Sequence, residues 1–327
     1  MRLIFSLSLG VALGLLIACC GQDTEDPPVV QTTNPITSIE GVVGKNNQGQ
    51  LQVGGLSLNL AGSQLKIDGK SCGTGELQPG MTIEARGNMG ANGQSFYCSD
   101  INVSSTLRGN VENTNLANTL VVAGITVVAD DSTYIVRSYN GGMTGWLIGF
   151  GEIQAGDPVH VWGILQENGT ILATRICVMP ANSAFGHCYT FQGSVSNLDP
   201  NARRFRCGNY WIDYGNAAIT GTISNGAQVV VSGPVNGNVL RADSVAVRTV
   251  EGVRSVSGRM YGLNEGLCQF TLGGGGCCGS AYYYVDYADA EVVGISSLAT
   301  HKGNVRVEGT VTQNGKTYKL KATKVTK

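Results

Sequence analysis

Ten cysteines in a chain of 327 residues are the first groups with chemistry to offer, because a thiol can pair, hold a soft metal or carry a lipid. Cys19 and Cys20 stand together near the start. The other eight are Cys72, Cys98, Cys177, Cys188, Cys207, Cys268, Cys277 and Cys278. In an oxidising compartment an even set reads first as disulfides, but eight cysteines allow 105 pairings. Neighbourhood favours Cys72 with Cys98. The clusters Cys177, Cys188, Cys207 and Cys268, Cys277, Cys278 then have three members each, so one link between them or two free thiols remain. The adjacent pair Cys277 and Cys278, after the glycine run 273–276, supports an alternative: a soft-metal or thiol-redox site. No Cys-x-x-Cys occurs, which argues against zinc-knuckle, thioredoxin-like and haem-attachment motifs.

Catalytic groups are sparse. There are three histidines: His160 within a strand pattern, His187 beside Cys188, and His301 at a turn. No motif sets a serine or cysteine beside a base and an orienting acid, and none converges two carboxylates. Asp130 and Asp131 lack calcium-loop spacing and read as turn residues. The glycines at 273–276 lack the Lys-Ser/Thr ending of a phosphate loop. The expectation is a protein that is not an enzyme. With 22 Lys and Arg against 23 Asp and Glu, its surface has no overall attraction for nucleic acid.

The start of the chain carries an address. Arg2 precedes an apolar stretch, residues 3–18, without a charged side chain, which is the layout of an export signal. Sixteen residues fall short of the ~20 that span a bilayer. The stretch ends in Leu16-Ile17-Ala18-Cys19, which resembles the bacterial lipobox. That resemblance implies cleavage before Cys19, diacylglycerol on its thiol and an N-acyl chain on its amine, with no other cofactor. Cys20 rather than aspartate follows, which points to the outer membrane of a bacterial envelope. Residues 19–37, rich in Asp, Pro, Thr and Gln, then form a disordered tether.

Beyond the tether one pattern recurs four times. It opens with apolar-x-Gly-x-apolar: Ile39-Glu40-Gly41-Val42-Val43, Leu107-Arg108-Gly109-Asn110-Val111, Phe191-Gln192-Gly193-Ser194-Val195 and Val256-Ser257-Gly258-Arg259-Met260. An alternating strand bounded by glycines follows, at residues 80–87, 156–163, 226–233 and 303–309. Each unit closes with a small residue three positions before an apolar one: Cys98 and Ile101, Ala173 and Ile176, Ala242 and Val245, Ala322 and Val325. Period-two alternation makes these elements strands, and glycines mark their bends and turns.

The pattern resembles a bacterial repeat domain known as domain of unknown function 5666 (DUF5666), often in tandem and often in lipoproteins. The resemblance implies small OB-like β-barrels and brings no activity. The expected fold is all-β, with four tandem small OB-like barrels after a signal peptide (1–18) and tether (19–37). Their expected bounds are 38–105, 106–182, 188–250 and 253–327.

The departures from the common pattern are where binding residues are sought. Residues 139–151 are an apolar, glycine-rich insertion in the second unit, expected as a loop tip in which Trp146 and Phe150 dock on a neighbouring barrel or on a partner. The fourth unit carries Tyr282, Tyr283 and Tyr284, suited to stacking, although alternation turns about half of such residues inward. Its last strand bears Lys316, Lys319, Lys321, Lys324 and Lys327, read as protection of an exposed sheet edge. The function expected is an envelope lipoprotein whose barrels bind a protein or polysaccharide partner. Metal or thiol-redox handling is the alternative, and single-stranded nucleic acid ranks behind both.

Overall fold

The alternation is realised as 28 strands and three single-turn 3₁₀ helices, with no α-helix among the described residues. The computed structural model describes residues 36–115, 118–166, 170–183, 189–207, 210–248, 252–274, 282–301, 303–314 and 317–327. All of them lie in one compact unit, Pro35–Lys327. The chain is all-β, as its period-two alternation led one to expect.

Hydrogen bonding gathers the strands into barrel-like sheets. Ser38–Lys45 pairs antiparallel with Leu51–Val53 and with Thr82–Met89. Ser95–Val103 pairs antiparallel with Thr82–Met89 and parallel with Leu56–Asn59, and Leu51–Val53 pairs with Leu56–Asn59, so this sheet closes on itself. The same circuit recurs in residues 107–178 and 252–326, where Ile125–Val128 and Tyr282–Asp286 take the parallel place beside Ile171–Val178 and Thr317–Thr326. In residues 189–248 Tyr210–Asp213 pairs parallel with Val239–Arg241.

Close backbone approach explains the closing glycine of each strand 80–87, 156–163, 226–233 and 303–309. A Cβ on Gly87, Gly163, Gly233 or Gly309 would overlap the carbonyl oxygen of Tyr97, Leu172, Arg241 or Lys321 on the facing strand. Pairing register also shifts at Gly87, Gly163 and Gly309, as at a bulge.

Three apolar cores result. Ile83, Phe96 and Met81 belong to one; Val161 and Ile176 share a second with Phe205 and Val231; Val256, Tyr283 and Tyr318 belong to a third. Trp162, Cys177 and Met179 come from the second strand group but pack into the core of the first, so those strands are covered on both faces.

The first and fourth groups are one hydrogen-bonded sheet, because Ser38–Lys45 runs parallel to Gly252–Asn264 with Ser38 opposite Arg254 and Glu40 opposite Val256. The lysine-bearing strand Thr317–Thr326 is not a sheet edge, which corrects the edge-protection reading. It is flanked by Asn304–Asn314 on one side and by Tyr282–Asp286 and Glu291–Val293 on the other. Its lysines alternate with Tyr318, Leu320 and Ala322, which are buried, so Lys319 and Lys321 point outward for the ordinary reason of strand alternation.

Candidate functional site

The insertion 139–151 is not a free loop. Gly145–Leu147 forms a strand antiparallel to Tyr134–Ser138, with Trp146 opposite Arg137 and Leu147 opposite Val136. The turn joining them is fixed at several points. Ser138 Oγ donates to the Gly142 carbonyl at 2.7 Å, the Met143 amide donates to Glu76 Oε2 at 2.6 Å, and Arg175 donates to the Met143 carbonyl at 2.7 Å. Phe150 lies in the 3₁₀ turn Phe150–Glu152 and, half-buried, packs with Ile148 against the core that the second and third strand groups share.

What remains outside is an aromatic patch on a rigid frame. Tyr139 is 61%, Trp146 46% and Leu147 74% exposed, and the Tyr139 and Trp146 rings lie 5.0 Å apart, tilted at 48°. Gly145–Leu147 ends the seven-stranded sheet, so the patch lies at an open edge. Apolar side chains held rigidly at a surface lose little entropy on contact, which is what a binding anchor requires.

The tyrosine strand divides by alternation. Tyr283 is fully buried and donates its hydroxyl to Glu40 Oε2 at 2.8 Å, so it is a core residue and not a stacking platform, a correction to its place among the binding candidates. Burial and the neighbouring Glu40 carboxylate raise its pKa well above the usual tyrosine value. Tyr284 is exposed; the side chain of Tyr282 lies outside what is described.

The described cysteines form no disulfide. Cys72 and Cys98, expected as a pair, are both free. Their sulfurs lie near different carbonyls, Leu65 at 3.9 Å and Phe96 at 3.9 Å, and Cys98 is sealed into its core. Cys177 and Cys207 belong to different cores, which is why nearness in sequence misleads. Burial pushes the Cys98 and Cys207 thiols up to about 12 and Cys177 to about 11. Iodoacetamide at neutral pH should therefore label Cys72 and Cys268 in the folded protein, and Cys98, Cys177 and Cys207 only after unfolding. Peptide mass spectrometry reads this directly, and rapid native labelling of the buried three would contradict their packing. Cys19, Cys20, Cys188, Cys277 and Cys278 lie outside the described residues, as does His187. Among the described residues no cluster of His, Cys, Asp or Glu could hold a metal ion.

Two polar clusters escaped the sequence reading. Asp68, in a left-handed turn position before Gly69, accepts hydrogen bonds from the Ser105 amide at 2.8 Å and hydroxyl at 2.9 Å, with His160 Nδ1 at 3.2 Å and Arg108 at 3.9 Å. Burial would raise the Asp68 carboxyl, but His160, Arg108 and Ser105 outweigh it and hold it below the usual range. The carboxylate sits between serine and histidine, the reverse of the order in which a histidine takes a serine proton, and all three are buried. The second cluster brings Arg248 and Arg254 onto Glu84 at 2.7 and 3.1 Å and near Glu40 at 3.7 and 3.8 Å. Both clusters tie strand groups together. Residues apolar in both phases, Val161 with Trp162 and Ile176 to Met179, were the signal that strands here are covered twice.

The fold thus defines an all-β protein of barrel-like sheets with an aromatic surface hairpin. Residues 108–177, the part that contains the hairpin, match the family described as "Domain of unknown function (DUF5666)". No curated protein matches the chain. A solved structure described as "drosophila Unr CSD456" is similar at 12% identity, covering 67% of this chain and 95% of its own, with a TM-score of 0.17, too low to carry any argument.

Proposed function

We propose that this chain is a non-enzymatic lipoprotein of the bacterial envelope, anchored through lipid on Cys19, whose tandem DUF5666-type OB-like barrels bind a protein or polysaccharide partner. The observation that carries the reading is the exposed patch of Tyr139, Trp146 and Leu147, built on a hairpin whose turn is pinned by Glu76 and Arg175. Four copies of one domain account for the glycine that meets a facing carbonyl at Gly87, Gly163, Gly233 and Gly309. The absence of catalysis is supported by how the reactive groups are used, since Asp68 with His160 and Glu84 with its two arginines are buried in each other's contacts.

A diazirine amino acid at position 147, photolysed in living cells, tests the reading. The expected result is an adduct of defined mass that Trp146→Ala weakens and that the same probe at exposed position 219 does not form. Protease or glycosidase sensitivity of the adduct then tells protein from polysaccharide. No adduct, or the same adducts from both positions, would overturn it.

A further inference from the structure

The first strand group has an open cleft of about 780 Å³ that the hairpin does not touch. Its wall is the outward face of two parallel strands, where Ser57 stands opposite Ser95 and Asn59 opposite Tyr97. Its rims are the turn 46–50 and the turn 90–94. Each turn is ordered by its own asparagine. Asn46 Oδ1 accepts from the Gln48 and Gln50 amides, both at 2.9 Å, and Asn92 Oδ1 accepts from the Gln94 amide at 2.9 Å and the Ser95 amide at 3.2 Å. The Ser57 amide donates to the Gln94 carbonyl at 2.9 Å and ties the second turn to the wall.

These bonds leave the side-chain amides of Asn47, Gln48 and Gln94 without a hydrogen-bond partner among the described residues, all on the cleft. Tyr97, 53% exposed, lies along the same wall. We propose that this cleft binds a neutral oligosaccharide. Each amide offers a carbonyl acceptor and an NH₂ donor side by side, so one side chain can serve two neighbouring sugar hydroxyls. A tyrosine ring supplies a flat apolar surface for the C–H face of a pyranose and a polar tip for its edge. No charged side chain lines the cleft, whereas a nucleic acid or a uronate polymer calls for Lys or Arg. The polar lining equally disfavours an apolar small molecule. Rims fixed before the ligand arrives reduce the ordering cost of binding.

The site shares no residue with the Trp146 hairpin and goes beyond the reading based on it. The purified full-length chain is titrated by calorimetry with cellohexaose, maltohexaose, mannohexaose and xylohexaose, and with hexagalacturonate, oligothymidylate and a neutral hexapeptide. At least one neutral sugar is expected to bind with a Kd below about 1 mM, unaltered between low and high salt. Tyr97→Ala and Gln94→Ala should each weaken it about tenfold or more, a loss of about 1.4 kcal/mol. Leu267→Ala, at an exposed side chain on the fourth strand group, should leave it unchanged. Binding of none of the four sugars, binding indifferent to both cleft substitutions, or binding only of the charged polymers or the peptide would overturn the proposal. The crosslink at position 147 reads another surface, so either result stands if the other fails.

Discussion

Glu84→Gln is expected to destabilise the junction between the first and fourth strand groups by about 3 kcal/mol and to remove most of its sensitivity to acid between pH 4.5 and 2. Burial raises the Glu84 carboxyl, but Arg248 and Arg254 outweigh it and bring it down to about 2, from an ordinary 4.5. A carboxyl depressed in the folded state contributes stability that is fully present above its unfolded pKa. That stability is lost as pH falls through the folded value, so the window runs from about 4.5 down to about 2. A shift of this size corresponds to about 3 kcal/mol, in line with the cost of breaking a buried pair. With glutamine in place, Glu40 alone faces two guanidinium groups, and one of its oxygens already has no hydrogen-bond partner among the described residues. The measurement is amide exchange in Ser38–Lys45 and Gly252–Asn264, the strands that pair across this junction. Their slowest amides should exchange about a hundredfold faster in the variant at neutral pH. Asp289→Asn, which breaks an ion pair with Lys321 exposed on both sides, should leave exchange unchanged. Unchanged exchange in Glu84→Gln would mean that backbone pairing alone holds the two groups together.

Glu40 also shows where sequence reading stopped. In Ile39-Glu40-Gly41 the glutamate has the polar phase of a strand and reads as solvent-facing, which is correct for one barrel taken alone. It is fully buried because a second strand group covers the outer face, and period-two alternation carries no information about what lies beyond that face. The same limit hid Asp68 and His160. Alternation did foretell that the tyrosine run would split, yet it did not say that Tyr283 would be the inward member bonded to Glu40. Neighbouring cysteines misled for a related reason: Cys177 lies on the outer face of its strand and packs into the core of the first group, whereas Cys207 points into the core that the second and third groups share. The cleft beside Tyr97 was illegible because its amides come from two turns more than forty residues apart, brought together only by parallel pairing of Leu56–Asn59 with Ser95–Val103.

The glycine pattern, in contrast, was legible and has a sharp consequence. Gly163→Ala should lower stability by about 3 kcal/mol, while Gly151→Ala changes it little. At Gly163 a methyl group would overlap the Leu172 carbonyl oxygen and lie 2.7 Å from Ile171 Cγ2 and 2.9 Å from the Ala173 Cα. Two of these three neighbours are backbone atoms of the facing strand, so relief requires the strands to separate and not a rotamer to turn. Nothing lies within 4 Å of a Cβ built on Gly151, which is exposed. The adjoining Trp162 is a built-in reporter, fully buried against the first group and stacked 5.8 Å from His160. In a Trp146→Phe, Trp211→Phe background it is the one tryptophan left of three. Its emission should shift to the red in Gly163→Ala and the urea midpoint should fall, because moving Gly163 away from Leu172 draws its neighbour out of that packing. A blue, unshifted emission with an unchanged midpoint would mean that the strand can slide to admit a methyl group. The glycine would then mark a turn preference carried through the four units and not a steric demand of barrel closure.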